Sequence, residues 1–235
     1  VYATDYFACS EKAGRWLFGN KTFDEGKVTI IPNAIDIEKF KFDENKRKEI
    51  RNKYNINDND FVIGHVGRFV KQKNHEFLIK LFNGIKKEKP NSKLLLVGDG
   101  PLRAKIEVIV NKLNLQDSVI FCGVQEHTEW YYNAMDCFIF PSIYEGLGMV
   151  VVEAQINGLH CAVSKEVPND AIVTKNNNSL VFCENLKDYK ISIIKLMKEY
   201  SVESRKQVNC LNYYDISVCE KKITNLYIRL KERAE

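Results

Sequence analysis

Short, uninterrupted apolar runs alternate with amphipathic helical segments through the middle of the chain, and this alternation restricts the fold more than any other feature. Phe61 to Val66 precedes a helical segment with Leu78, Leu81, Phe82 and Ile85 on one face, and Lys93 to Val97 precedes one with Ile106, Ile109, Val110 and Leu113. Val119 to Cys122 leads to a segment through Trp130 and Tyr131. Cys137 to Phe140 leads to one from Gly148 to Asn157, which runs into His160-Cys161-Ala162-Val163. Strands that are apolar at consecutive positions are buried on both faces, whereas amphipathic helices bury one stripe. The pattern predicts an α/β fold, a parallel sheet with helices on both faces, whose ligands bind beyond the carboxyl ends of the strands.

The flanks are less regular. Tyr6-Phe7-Ala8-Cys9 reads as a short strand, Ser10 as the cap of the helix carrying Trp16, Leu17 and Phe18, and Gly19-Asn20 as a turn. Val28 to Ile31 is a second strand, and Asn33-Ala34-Ile35-Asp36 a connection that marks a domain boundary. Asn45 to Tyr54, rich in Lys, Arg and Glu, is expected to be a solvated helix. Toward the end, Asn176-Asn177-Asn178-Ser179 reads as a turn before the strand Leu180-Val181-Phe182, and helices are expected over Leu186 to Met197 and Ser217 to Arg233. The last presents Ile223, Leu226, Tyr227 and Leu230 on one face, so it is expected to pack on something.

Composition narrows the function classes. A net charge of +4 from 35 basic and 31 acidic residues is too balanced for a nucleic-acid surface. Seven cysteines, an odd number with no C-x-x-C pair and mostly inside apolar runs, point to a reducing compartment, and the cytoplasm is expected. The apolar runs are too short for a membrane span, and the start Val1-Tyr2-Ala3-Thr4-Asp5 does not read as a signal peptide. With no initiator Met, the chain is expected to be a piece of something longer.

One junction concentrates candidate chemistry. In Phe140 to Ala154 the strand stops at Pro141, a turn holds Gly146 and Gly148, and a helix-length apolar segment follows. Strand, glycine loop and helix N-terminus aim free N–H groups and the positive end of a helix dipole into one small space, which suits an anion. Glu145 and Glu153 bracket it. Acids would repel a bare phosphate, so they are expected to face something neutral and rich in hydroxyls, a sugar or a ribose.

Three further loops leave the carboxyl ends of strands. Gly67-Arg68 with Lys73 offers a guanidinium that grips phosphate through two N–H bonds and an ammonium point charge, together able to stabilise a leaving diphosphate; the alternative is a solvated basic loop. A turn before a helix suffices to explain Gly98-Asp99-Gly100-Pro101, and Gly123-Val124-Gln125 either ends a strand or offers backbone groups to a base edge. His65 lies near the Gly67 loop, as a packed residue or as part of the site, while His75, His127 and His160 show no metal-ligand spacing. Asp58-Asn59-Asp60 has a D-x-D spelling found in some metal sites, yet it sits among turn formers just ahead of a strand. No metal is expected.

Four stretches form a combined pattern: Ile30-Ile31-Pro32-Asn33-Ala34-Ile35-Asp36 with Phe40, Val66-Gly67-Arg68 with Lys73, Val97-Gly98-Asp99-Gly100-Pro101-Leu102, and Glu145 to Glu153 in the form P-S-x-x-E-G-x-G. It resembles the I-P-N-G-V-D…F, V-G-R…K, V-G-x-G-P-L and E-x7-E motifs of the retaining glycosyltransferases of family 4, the group 1 glycosyltransferases, in the donor-binding C-terminal half of their GT-B fold. The resemblance runs from about Tyr6 to Tyr227. Ala34 and Asn74 stand where that family usually or commonly has Gly.

The resemblance implies a Rossmann-like nucleotide-sugar-binding domain over residues 28–205. Residues 1–27 would be the end of an acceptor-binding domain with its linker, and 206–235 a helix that crosses back to that domain. The implied reaction is hexosyl transfer from a UDP- or GDP-sugar to a hydroxyl of a sugar or lipid-linked acceptor, with retained anomeric configuration and without metal or cofactor, in capsule, exopolysaccharide or glycolipid synthesis. Arg68 and Lys73 would bind the diphosphate and Glu145 the sugar hydroxyls, the three acting in catalysis. Gly67 and the backbone of Gly146, Leu147, Gly148 and Met149, with Val150, would line sugar and phosphate; Val124 would lie beside the base and Glu153 take the ribose hydroxyls. By itself the chain is expected to bind donor weakly and transfer nothing. Peripheral contact at the inner face of a membrane is compatible with this, and nucleic acid is not an expected partner. The alternatives are a non-catalytic nucleotide-sugar-binding regulatory module, a glycogen or sucrose synthase-like enzyme, and a nucleotide-sugar epimerase, against which the E-G-x-G-x-V-x-x-E form speaks.

Overall fold

The computed structural model describes residues 4–174, 180–207 and 212–232. Residues 176–179, expected to form a turn, lie outside that set, as do residues 1–3, 208–211 and 233–235 of the flanking units. The first elements form a small unit: β1 (Tyr6–Ala8) pairs in parallel with β2 (Val28–Ile30), and α1 (Glu11–Phe18) and α2 (Asn20–Asp24) connect them. Gly19 ends α1 at φ 82°, yet the chain re-enters a helix where the sequence suggests only a turn. Asp36 and Asp43 then cap α3 (Ile37–Phe40) and α4 (Glu44–Lys53) by accepting first-turn N–H groups.

The predicted alternation follows. β3 (Phe61–Val66), α5 (His75–Glu88), β4 (Ser92–Val97), α6 (Arg103–Lys112) and β5 (Val119–Gly123) build one half of the sheet. α7 (Thr128–Ala134), β6 (Cys137–Phe140), α8 (Met149–Ile156), β7 (His160–Ser164), β8 (Leu180–Cys183) and α9 (Leu186–Glu199) build the other. All neighbours are parallel, in the order β5-β4-β3-β6-β7-β8. Strands step outward from β3 to β5, and the chain then crosses back to place β6 on the other side of β3. The loops after β3 and β6 therefore diverge, leaving a crevice at the carboxyl edge where open α/β sheets bind ligands.

Because neighbouring strand residues face opposite ways, the apolar runs feed two cores. Val62, Leu95, Phe138, Phe140 and Val163 face α7 and α8, while Ile63, Leu94, Leu96, Cys137 and Ile139 face α5, α6 and α9. α5 alone buries Leu78, Ile79, Leu81, Phe82 and Ile85, worth about 10 kcal/mol of transfer free energy before chain entropy is counted.

Two expectations change. α4 is not solvated all round: Arg47 and Arg51 turn inward, where Arg47 Nη2 reaches Asp136 Oδ1 at 2.6 Å and Arg51 Nη1 the Ala134 carbonyl at 3.1 Å. The carbonyls ending α7 need donors, and these long side chains, joined by buried Arg205, supply them. The face of α10 (Ile216–Glu232) is the second. In this helix Cys219 is buried, but of the stripe Ile223 and Tyr227 are exposed, Tyr227 at 69%, and Leu226 and Leu230 only half-buried among the described residues. α10 is held at its start, where the Ile216 N–H donates to the Ile35 carbonyl at 3.0 Å.

Candidate functional site

The loop after β3 owes its shape to the loop after β4. The Phe69 N–H donates to the Asp99 carbonyl at 2.9 Å, and the Leu102 N–H to the Phe69 carbonyl at 3.0 Å. Gly98, at φ +127°, lies so close that a Cβ there would be 2.3 Å from the Gly67 carbonyl oxygen. The Gly98-Asp99-Gly100 stretch is thus a buttress for Gly67 to Phe69, a role the sequence does not show.

From Gly67 the chain runs through exposed Arg68 to a short 3-10 turn, Lys71–Lys73, closed by Asn74 in the left-handed region. This turn is tied to the loop after β6. The Ile143 N–H donates to the Gln72 carbonyl at 2.8 Å, Gln72 Nε2 to the Tyr144 carbonyl at 2.9 Å and to Glu145 Oε1 at 3.3 Å, and Asn74 Nδ2 to the Pro141 carbonyl at 3.3 Å. Across the same seam the Lys73 ammonium pairs with the Glu145 carboxylate, the side chains being 17% and 7% exposed. The ammonium also stands 4.6 Å from the centroid of the Phe140 ring, a cation–π contact. Lys73 and Glu145, 72 positions apart, are brought together directly; the Arg68 side chain has no ion pair or hydrogen bond among the described residues.

After Glu145 come exposed Gly146, buried Leu147 and Gly148, which begins α8 at φ 83°. Only a residue that tolerates this conformation can turn the chain so sharply into the helix. Among the described residues the N–H groups of Leu147, Gly148 and Met149 have no acceptor, so they are the open donors of a helix start. Met149 and Val150 are half-buried on the first turn of α8. Glu153 lies one turn on and faces Tyr132, whose hydroxyl donates to Oε2 at 2.7 Å. Desolvation, with help from the Glu129 charge, raises the Glu153 pKa against the lowering effect of that bond. Gly123 lies at the edge of the site, its carbonyl accepting the Gly98 N–H at 2.8 Å, and Val124 is exposed.

His65 lies directly beneath. Its Nδ1 hydrogen-bonds the Ile139 carbonyl at 2.8 Å, while Nε2, without a partner among the described residues, faces the Gly67 backbone. Burial pushes its pKa down to about 4, and that of the adjacent His75 to about 2, so both rings are neutral beside Lys73. Asp60 of the D-x-D spelling closes its own turn, Oδ2 accepting the Asn57 N–H at 2.9 Å, and no cluster of metal-ligating side chains occurs among the described residues. Gln72 and Tyr132, which orient the two acids, have no sequence signal of their own. Chemically, the seam sets the Lys73 ammonium, the Glu145 carboxylate and the row of open backbone donors that follows it side by side, with Arg68 exposed on the loop before Lys73 and Glu153 one turn into α8.

The family model described as glycosyl transferases group 1 matches residues 46–210. The Bacillus subtilis (strain 168) protein EpsF is 40% identical over 165 residues, covering 70% of this chain and 43% of that protein. The capsular polysaccharide biosynthesis glycosyltransferase CapM of Staphylococcus aureus is 34% identical over 210 residues, 87% of this chain and 54% of that one. The chain thus spans about half the length of these relatives. In fold it is similar to Anabaena HepE in complex with UDP-glucose, with a TM-score of 0.78 at 19% identity over 97% of this chain and 64% of that one. No helix among the described residues is long and apolar enough to cross a membrane.

Proposed function

The chain belongs to the group 1 glycosyl transferases, and on that premise we propose that it is the half of a retaining hexosyltransferase that holds the nucleotide diphosphate sugar. The observation that carries the reading is the Lys73–Glu145 pair set beside the open N–H groups of Leu147, Gly148 and Met149. Lys73, Arg68 and the α8 N-terminus compensate the diphosphate, both bound and as leaving group. Glu145 takes sugar hydroxyls, Gly67 lets the chain approach the phosphates, Val124 borders the base, and the Tyr132-oriented carboxylate of Glu153 accepts from the ribose. In the reaction the acceptor oxygen replaces the β-phosphate oxygen on C1 on the same face of the ring, and the acceptor proton leaves with the diphosphate.

UDP is the first donor nucleotide to try, because HepE, of like fold, has been crystallised with UDP-glucose. CapM is a glycosyltransferase of capsular polysaccharide biosynthesis, which supports a saccharide acceptor; a lipid-linked form of it at the cytoplasmic face of a membrane is part of the proposal. We assign acceptor binding to a separate domain, of which residues 1–27 are the end, with 28–205 as the donor domain. The partly exposed stripe of α10, within 206–235, is the surface we assign to the return contact with it.

Calorimetric titration with UDP-glucose and GDP-mannose tests the proposal. One of the two is expected to bind, with UDP or GDP supplying most of the affinity, and no transfer is expected from this chain alone. Failure of both nucleotide sugars and both nucleotides to bind would overturn the donor site.

A further inference from the structure

Ser10 lies outside the loops that carry the proposed donor contacts, at the junction of β1 and α1, and its side chain is fully buried. Its hydroxyl makes two bonds. The oxygen accepts the Ala13 N–H at 3.1 Å, which caps α1, and the O–H donates to the Gly146 carbonyl oxygen at 2.5 Å, spanning 136 positions of sequence. A cap requires the first bond and not the second.

The second bond acts on a peptide that little else restrains. A Cβ at Gly146 would meet nothing nearer than the Ala13 Cβ at 4.0 Å, and the residue is not in the left-handed region, so neither crowding nor a special φ accounts for glycine here. What glycine brings is backbone freedom, and an outside bond must remove it. The Gly146 carbonyl and the Leu147 N–H belong to one planar trans peptide and point in opposite directions. Holding the carbonyl toward Ser10 therefore aims the Leu147 N–H away from α1, beside the open N–H groups of Gly148 and Met149. Turning that peptide over would replace a donor with a carbonyl oxygen facing the anion.

The start of α1 is firmly seated. The Glu11 N–H donates to Asp170 Oδ2 at 3.1 Å, and Lys12 Nζ to the Glu166 carbonyl at 2.6 Å and its carboxylate at 3.3 Å. Both partners belong to the stretch after β7, so α1 bridges the loops after β6 and β7 at the carboxyl edge of the sheet.

We propose that Ser10 is a positioning residue for the donor diphosphate: its hydroxyl fixes the Gly146–Leu147 peptide so that the Leu147 N–H faces the bound phosphates. The inference rests on the donor reading above and assigns part of donor affinity to the first turn of α1.

Ser10→Asn and Ser10→Asp separate this role from capping. Both side chains accept the Ala13 N–H and cap helices well, but only Asn can also donate to the Gly146 carbonyl. Affinities of this chain for UDP and uridine are measured, with GDP and guanosine in parallel, alongside thermal unfolding. Ser10→Asp is expected to lose at least 10-fold in nucleoside diphosphate affinity with little change for the nucleoside, and Ser10→Asn to stay within about 3-fold of the unsubstituted chain. If Ser10→Asp does not fold, Ser10→Ala carries the comparison with the same expected split. Unchanged UDP and GDP affinity in Ser10→Asp, or equal weakening of nucleotide and nucleoside, overturns the inference and leaves the donor reading standing. An unsubstituted chain that binds neither nucleotide overturns both.

Discussion

The Lys73 ammonium and the Glu145 carboxylate close on each other across the crevice between β3 and β6, over the face of Phe140. Each is largely desolvated and is the main compensation for the other's charge. On the donor reading proposed above, a diphosphate sugar would compete for both, its phosphates for Lys73 and its hydroxyls for Glu145, and the pair would hold both side chains ready without ligand, which lowers the ordering cost of binding.

Lys73→Ala should act on stability and on binding separately. Leaving Glu145 buried without its cation is expected to cost roughly 2–4 kcal/mol of folding free energy, and losing a charged phosphate contact should weaken UDP-glucose about 10- to 100-fold. The double change Lys73→Ala/Glu145→Gln removes the stranded charge, so most of the stability returns while affinity does not. Urea unfolding and calorimetry read the two effects. Recovery of affinity in the double variant would show that Lys73 serves only to neutralise Glu145.

Acid should weaken the fold through the two histidines beneath the site. Their folded pKa values, about 4 for His65 and about 2 for His75, lie below the usual 6.5, so between those values the unfolded chain binds more protons than the folded one. Their contribution is complete above pH 6.5 and is lost as pH falls, through about 4 for His65 and on toward 2 for His75. By pH 5 each should remove on the order of 2 kcal/mol. His65→Asn keeps a donor for the Ile139 carbonyl and removes one titrating group, so its urea midpoint should fall less between pH 7 and 5. Parallel pH profiles for the two proteins would count against this.

The sheet was legible because its strands are buried on both faces, which leaves runs such as Phe61–Val66 and Cys137–Phe140 unbroken by polar residues. Caps such as Ser10 are equally local and equally readable. Other features depend on partners far away in sequence. Arg47 and Arg51 look like ordinary solvated helix residues until Asp136, more than 80 positions on, turns out to lie under them. The same holds for Gln72 against Glu145 and Tyr132 against Glu153, where motif residues marked the acids but nothing local marked what orients them. The stripe on α10 shows the opposite case: its helical period is plain, but a period does not say where the surface that covers it lies.

Glu153→Gln should trade binding for stability. Burial raises the Glu153 pKa, so the folded state disfavours the carboxylate, and stability declines as pH rises through that raised value. A neutral amide of the same shape avoids this desolvation and can still accept from the Tyr132 hydroxyl. The variant should melt slightly higher than the native chain at neutral pH while binding UDP about 10-fold more weakly, because an amide is the poorer acceptor for ribose hydroxyls. Lower melting together with undiminished affinity would place Glu153 among the structural acids.

Arg205 offers a test at the opposite rim of the sheet. Its guanidinium donates to the carbonyls of Tyr132 at 3.0 Å and Met135 at 2.7 Å, and to the side chain of Asn157, pinning the segment after α9 to the ends of α7 and α8. Burial lowers its pKa to about 10, so it stays charged at neutral pH. Arg205→Ala strands those carbonyls and opens a cavity, and should cost about 3–5 kcal/mol. Arg205→Met refills much of the volume but donates nothing, so it should recover only a minor part. Full recovery by Met would mean that packing, not hydrogen bonding, holds this segment. Both variants should bind UDP, once folded, as the native chain does, because the residues they touch lie at the amino ends of β6 and β7, away from Lys73 and Glu145.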